Sequence, residues 1–147
     1  LCGQGENFEQ SQQEAKALGI AEMVLFCGNV NRPEDYLQAM DVFVMTSLFE
    51  GLPIVGVEAQ ASGLPCIFAD TITQEVKILP QTQFLALTQP DEAWAERIVQ
   101  TKPMERSLAG HCVESAGFAE ENLDRQVCAL YGMEEHHFAN ISGRDHL

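Results

Sequence analysis

Short apolar runs separated by amphipathic stretches set the rhythm of this chain. Met23 to Cys27, Val42 to Met45 and Cys66 to Ala69 are unbroken apolar segments bounded by turn-forming residues. Such runs are the mark of strands covered on both faces. Phe84 to Leu87 reads as a further strand, and Leu1-Cys2 as the last residues of one more. Between them lie helical stretches. Glu6 to Leu18 is polar with an apolar minority at Phe8, Ala15 and Leu18, and Gly19 stops it. Pro33 to Met40 and Pro53 to Ser62 each begin on proline, which is preorganised for a first helical turn, and Gly63 ends the second. Pro90 to Gln100 carries Trp94, Ile98 and Val99, and Ala119 to Tyr131 carries Leu123, Val127 and Leu130 at helical spacing. Trp94 with Ile98 reads as core packing. Alternation of this kind predicts an α/β fold, a parallel sheet with helices on both faces. Ligands of such sheets bind at the carboxyl ends of the strands.

Composition narrows the reading. The chain has 147 residues, 46% hydrophobic and 20% charged, enough to bury a core. Residues 1–131 read as one domain and 132–147 as a polar, His-rich, poorly ordered tail. Against 22 acidic residues stand 8 Lys and Arg, a formal charge of -14. That excludes a basic stripe for nucleic acid and a polybasic membrane anchor. No apolar run reaches the roughly 18 residues that a membrane-spanning helix needs. Cys2, Cys27, Cys66, Cys112 and Cys128 are widely spaced with no C-x-x-C pair. They read as reduced, small buried hydrophobic residues, in keeping with a cytoplasmic protein.

The densest chemistry lies between Asp41 and Pro65. A strand feeds a loop, Thr46 to Leu52, and the loop feeds the helix headed by Pro53. The first amides of a helix have no internal partners and sit at the positive end of its dipole, a seat for phosphate. Glu50 precedes that seat. Glu58 follows Pro53 by five residues, about 7.5 Å along the axis at 1.5 Å per residue. A carboxylate can accept two hydrogen bonds from a vicinal diol, so the pair could hold the sugars at both ends of a nucleotide diphosphate sugar. Glu58 stands among Ile54, Val55, Gly56, Val57, Ala59 and Ala61, a setting where a buried carboxylate needs partners. The bland reading is a loop acid and a solvated helix residue.

Glu50-Gly51-Leu52-Pro53 followed by Glu58, with seven residues between the acids, resembles the E-x7-E motif of retaining glycosyltransferases of family 4, the glycosyl transferases group 1. The likeness continues through Gly3-Gln4-Gly5-Glu6, Val24 to Val30, Asp41 to Val44 and Gly63-Leu64-Pro65. Asp70 to Val76 with Trp94-Ala95 resembles the bacterial branch that builds capsule or exopolysaccharide. The resemblance implies a Rossmann-like domain, the C-terminal donor-binding half of a GT-B fold, here lacking its first βα units. It implies transfer of a hexosyl group from a UDP- or GDP-linked sugar to a saccharide or lipid-linked acceptor, held by a separate domain. Glu50 is then the catalytic acid that positions the transferred sugar, and Glu58 the acid on the ribose. Gly51 and Leu52 offer amides to sugar and phosphates, with Pro53 at the head of the helix. Val30 meets the base through its backbone, and Gly3 and Gly5 let the chain approach the phosphates. No metal and no cofactor are implied, and the protein would work in the cytoplasm or at the inner face of the cell membrane.

Three departures stand out. Thr46-Ser47 replaces a common Pro-Ser, and Ile72-Thr73 replaces a double glycine. The family's Arg and Lys, which neutralise the leaving diphosphate, belong upstream of Gly3, so this piece alone is expected to be inactive. Two alternatives remain: a nucleotide-sugar epimerase on the same scaffold, and a non-catalytic nucleotide-sugar-binding or assembly subunit. Gly3-Gln4-Gly5 lacks the third glycine of a dinucleotide fingerprint, because Phe8 holds that position. His136-His137 beside Glu134 and Glu135 read as solvated side chains rather than a metal site, and His111 beside Cys112 as helix surface next to core rather than a catalytic dyad.

Overall fold

The computed structural model describes residues 1–102 and 105–118. The helix expected over Ala119 to Tyr131, the tail, Cys128 and the His136-His137 pair lie outside the described residues. The chain divides into two compact units, Leu1–Tyr36 and Leu37–Leu147.

The first unit pairs two extended segments and packs a helix beside them. Helix α1 (Phe8–Ala17) buries Ala15 and sets the Phe8 ring edge-on to Phe26 at 5.7 Å between centroids. Its last turn closes as the sequence predicts. Gly19 and Ile20 donate backwards to the Lys16 and Ala15 carbonyls, with Gly19 at φ 70°. The buried strand expected over Met23 to Cys27 is not there. Ala21–Met23 is a 3-10 turn, and the extended stretch after it makes one isolated parallel bridge, Cys2 to Gly28. Met23 and Leu25 are 77% and 72% exposed, and Leu1 is 70% exposed rather than the end of a buried strand. The reason is one-sided cover. Val24 and Phe26 are half-buried while their neighbours Met23 and Leu25 face water, so an unbroken apolar run behaves here as an alternating one.

The division between the units falls within α2 (Pro33–Ala39), whose Leu37 joins the core of the second unit. That unit is built on three parallel strands, β1 (Phe43–Met45), β2 (Cys66–Ala69) and β3 (Gln83–Leu85), in the order β1-β2-β3. Phe43 pairs with Cys66 and Phe68 with Phe84. Every residue of the central strand β2 is buried, as its apolar run predicts.

Alternate residues of a strand point to opposite faces. On the Phe68 face lies α3 (Ile54–Ala61), whose Gly56 approaches the Phe68 ring so closely that an added Cβ would lie 2.8 Å from it. On the other face, Gln83 of β3 accepts a 2.8 Å hydrogen bond from Arg97 of α4 (Asp91–Gln100). The second unit therefore carries helices on both faces of a parallel sheet. Val57, Leu64, Phe68, Ile72, Val76 and Val113 form the heart of its core, with Trp94 half-buried against it.

The carboxyl-terminal part of the described chain is less regular. A 3-10 turn over Arg106–Leu108 leads into the short α5 (Ala109–Val113), followed by a wide turn over Glu114–Phe118. Arg106 donates to the Gln38 carbonyl at 2.9 Å and to the Met40 carbonyl at 2.5 Å. A cation thus meets the open carbonyls at the end of α2. Gly63, at φ 75°, gives Arg106 room: a Cβ there would come within 2.8 Å of the Arg106 backbone. Nothing local in the sequence announces this contact between distant segments.

Candidate functional site

The Asp41–Pro65 stretch folds as its sequence predicts, with two adjustments. β1 ends at Met45, a loop covers 46–53, and α3 begins at Ile54. Pro53 is therefore the residue that caps α3 from outside, in extended conformation at φ -75° and ψ 104°, rather than part of the first turn. It supplies no side-chain cap. Among the described residues, the amides of Gly51 and Leu52 donate to no backbone carbonyl. The loop thus presents unpaired donors beside the positive end of α3, as an anion seat requires.

Glu50 is half-buried in this loop. Glu58 is exposed, which corrects the expectation drawn from its apolar neighbours in sequence. Gly56, Val57, Ala59 and Gln60 are the residues α3 buries, whereas Ile54, Glu58 and Ala61 share an outward stripe at helical spacing. Sequence adjacency mixed the two sides of the helix. The carboxylate is solvated and carries no burial cost. It lies one turn beyond Ile54, on the helix that Pro53 precedes.

Two residues at the end of β2, Asp70 and Thr71, brace the segments around Glu50 through bonds that no local pattern signals. The Thr71 hydroxyl, just past the end of β2, donates to the Ser47 carbonyl at 2.7 Å. This ties the Glu50 loop to the segment 24 residues further on. Asp70 works in the opposite direction: its carboxylate accepts from the Leu87 amide at 3.4 Å, and its amide donates to the Leu85 carbonyl at 3.0 Å. Asp70 and Thr71 so join the ends of all three strands.

Gln60 anchors α3 from beneath. Its side-chain amide donates to the Gly56 and Val76 carbonyls, and its oxygen accepts from the Ile78 and Leu79 amides and the Thr82 hydroxyl.

The remaining candidates, Gly3, Gly5 and Val30, belong to the first unit. Gly3 has φ 119°, a conformation that side chains rarely adopt, and its amide donates to the Gly28 carbonyl at 2.7 Å. The Gly3 turn and the loop running on from Gly28 to the half-buried Val30 are thereby brought side by side.

A cavity of about 410 Å³ in the second unit is lined by Val44, Thr46, Leu87, Gln89, Asp91, Trp94 and Ile98. It opens on the α4 side of the sheet and is lined by none of the candidate residues. His111 is exposed, as expected, and lies 3.4 Å from the Glu114 carboxylate. Cys66 is buried as expected, but Cys2 and Cys112 are exposed: α5 turns Ala109 and Val113 inward and Cys112 outward, and Cys2 lies on the thinly covered pair of segments in the first unit. Among the described residues, no three His, Cys, Asp or Glu side chains converge as a metal ion needs. No described helix is long and apolar enough to cross a membrane.

Comparison with known proteins gives the family and the fold. EpsF of Bacillus subtilis (strain 168) is 45% identical over 101 residues, 68% of this chain and 26% of EpsF. The Vi polysaccharide biosynthesis protein VipC/TviE of Salmonella typhi is 35% identical over 131 residues, 84% of this chain and 22% of that protein. The chain thus spans about a quarter of the length of the curated relatives it matches. Among solved structures, the apo form of the lipopolysaccharide outer core galactosyltransferase WaaB superposes with a TM-score of 0.69 at 20% identity. That match covers 89% of this chain and 39% of WaaB, and gives the fold as that of GT-B glycosyltransferases. The family model for glycosyl transferases group 1 matches residues 1–111. With three quarters of its length inside that match, the chain belongs to the glycosyl transferases group 1 family.

Proposed function

We propose that this chain is the donor-binding part of a retaining glycosyltransferase of family 4. The reaction would move a hexosyl group from a UDP- or GDP-linked sugar to a saccharide or lipid-linked acceptor, in the making of capsule or exopolysaccharide. The observation that carries the reading is the E-x7-E pair on its own scaffold. Glu50 is half-buried in a loop with unpaired amides, and Glu58 stands on the helix that the loop opens.

In this reading the donor diphosphate lies over the start of α3, where the Gly51 and Leu52 amides and the helix dipole meet its charge. Glu50 accepts hydrogen bonds from hydroxyls of the transferred sugar and holds its anomeric carbon toward the acceptor. Glu58, free in solvent, accepts the vicinal hydroxyls of the ribose. For Gly3, Gly5 and Val30, which belong to the first unit, the roles toward phosphates and base are those that the family resemblance implies. Catalysis is then mostly positioning, together with stabilisation of the leaving diphosphate. Like charge on the two carboxylates opposes an anion, so cations supplied elsewhere in the protein must complete the seat. No divalent metal is needed. The relatives favour this chemistry: one in Escherichia coli, 42% identical over 71 residues, is a UDP-Gal:alpha-D-GlcNAc-diphosphoundecaprenol alpha-1,3-galactosyltransferase, although those residues make up only 18% of it. The work would take place in the cytoplasm or at the inner membrane face.

The test is a pair of substitutions in the protein that carries this chain. Glu58→Ala should raise the donor KM roughly 10- to 100-fold, the worth of a charged hydrogen bond. Glu50→Ala should instead lower kcat by a similar or larger factor. Small and equal effects of both would sink the reading. Isomerised donor in the absence of acceptor would replace it with an epimerase.

A further inference from the structure

Cys2 and Cys27 stand on the two paired segments of the first unit. The Leu1 nitrogen donates to the Leu25 carbonyl at 2.8 Å, and the Leu1 carbonyl accepts from the Cys27 amide at 2.9 Å. In a parallel pair, a residue bonded in this way faces the residue between its two partners. Leu1 therefore faces Phe26, and Cys2 lies opposite both Cys27 and its bridge partner Gly28. Gly28, at φ 62°, takes up one extra residue, and pairing resumes from the Gly3 amide to the Gly28 carbonyl. Strands so paired lie about 4.8 Å apart, within the ~4.4–6.8 Å between Cα atoms that a disulfide spans. The Cys27 thiol lies close enough to act on that of Cys2. Burial, and after it this neighbour, raises the Cys2 thiol above its ordinary value. Cys2 is exposed and Cys27 half-buried, so the pair is within reach of a small molecule.

From this juxtaposition we propose that Cys2 and Cys27 form a reversible disulfide, which fastens the Gly3–Gly5 turn to the Gly28–Val30 loop. The oxidant is a low-molecular-weight disulfide such as glutathione disulfide. One cysteine thiolate attacks it, its S–S bond breaks, and one glutathione thiolate leaves. The second cysteine thiolate attacks the mixed disulfide at the protein sulfur and expels the other glutathione. Two protein thiols are oxidised, one glutathione disulfide is reduced to two glutathione molecules, and the two thiol protons end on them. The bond is independent of what the two loops bind. If they do hold a nucleotide sugar, it makes donor binding sensitive to thiol redox state.

The full chain, reduced and then incubated with glutathione disulfide, tests this by intact mass and by peptide mapping without reductant. The expected product has lost two hydrogens, carries a peptide linking Cys2 to Cys27, and reverts with dithiothreitol. Cys2→Ser and Cys27→Ser should each give a glutathione adduct on the remaining cysteine instead. Amide hydrogen exchange over 3–5 and 28–30 should slow by roughly tenfold or more in the oxidised wild type. Glutathione adducts without the link, a link made to Cys112 in its place, or unchanged exchange in the linked protein would overturn the proposal.

Discussion

Gly56 of α3 rests against the ring of Phe68, at a distance that only a residue without a side chain allows. A methyl group on Gly56 would stand 2.8 Å from the ring and 3.1 Å from Val76. All three residues are buried in the unit's core, where neighbours yield little. Gly56→Ala is therefore expected to destabilise the protein by about 1–3 kcal/mol, even after the roughly 1 kcal/mol that alanine gains over glycine in a helix. A lower urea midpoint with unchanged m-value would bear this out. A rise in stability would mean that the α3–β2 spacing is wider than the structure gives.

This closeness also separates what the pattern of residues reveals from what it hides. The unbroken apolar run Cys66–Ala69 predicts a strand buried on both faces, and β2 is that strand, residue for residue. The end of α1 at Gly19 was equally legible, because a left-handed residue there is a local requirement. Met23 to Cys27 has the same kind of run and is no such strand. Burial depends on whether a second layer covers the far face, and the run does not encode that. At the candidate site, the loop around Glu50 and the helix carrying Glu58 stand where the residue pattern puts them. That pattern put Glu58 in apolar company only because neighbours along a helix point to different sides. Thr71, Gln60 and Arg106 act across long separations, and no short motif signals such bonds.

Gln60 is the strongest of these hidden supports. It is a fully buried polar side chain with every group satisfied, linking α3 to residues 76–82. Gln60→Leu keeps the bulk but strands the Ile78 and Leu79 amides and the Thr82 hydroxyl. Each orphaned buried group costs about 1–3 kcal/mol. The variant should lose at least ~3 kcal/mol in denaturant unfolding, and hydrogen exchange at 78 and 79 should quicken by more than tenfold. A loss below ~1 kcal/mol would show that water replaces the lost oxygen.

Cys66 offers a prediction in alkali. Burial pushes its thiol up from 9.0 to about 12. In the folded protein it keeps its proton across that interval, while the unfolded chain releases it. The stability this contributes is present below pH 9 and is lost as pH rises through about 12. The slope of unfolding free energy against pH between 9 and 11 should therefore be shallower in Cys66→Ala than in wild type, whatever the offset from the cavity. At pH 8, Cys66 should resist alkylation until the chain is unfolded in urea, whereas the exposed Cys112 should react in the native state.

Thr71 carries the sharpest functional consequence. Its hydroxyl is bonded to the Ser47 carbonyl in the loop that presents Glu50, so it should fix where that carboxylate sits. Thr71→Val preserves shape and removes the bond, at a stability cost of about 1 kcal/mol. Thr71→Ser restores the donor. If Glu50 positions the transferred sugar, Thr71→Val in the protein that carries this chain should lower kcat/KM for donor roughly 3- to 10-fold, chiefly through kcat, and Thr71→Ser should recover most of it. A purely structural role predicts equal Tm losses with kcat untouched. Should Glu50→Ala cripple turnover while Thr71→Val leaves it whole, the loop holds its shape without this bond. Should neither matter, Glu50 has no part in the reaction.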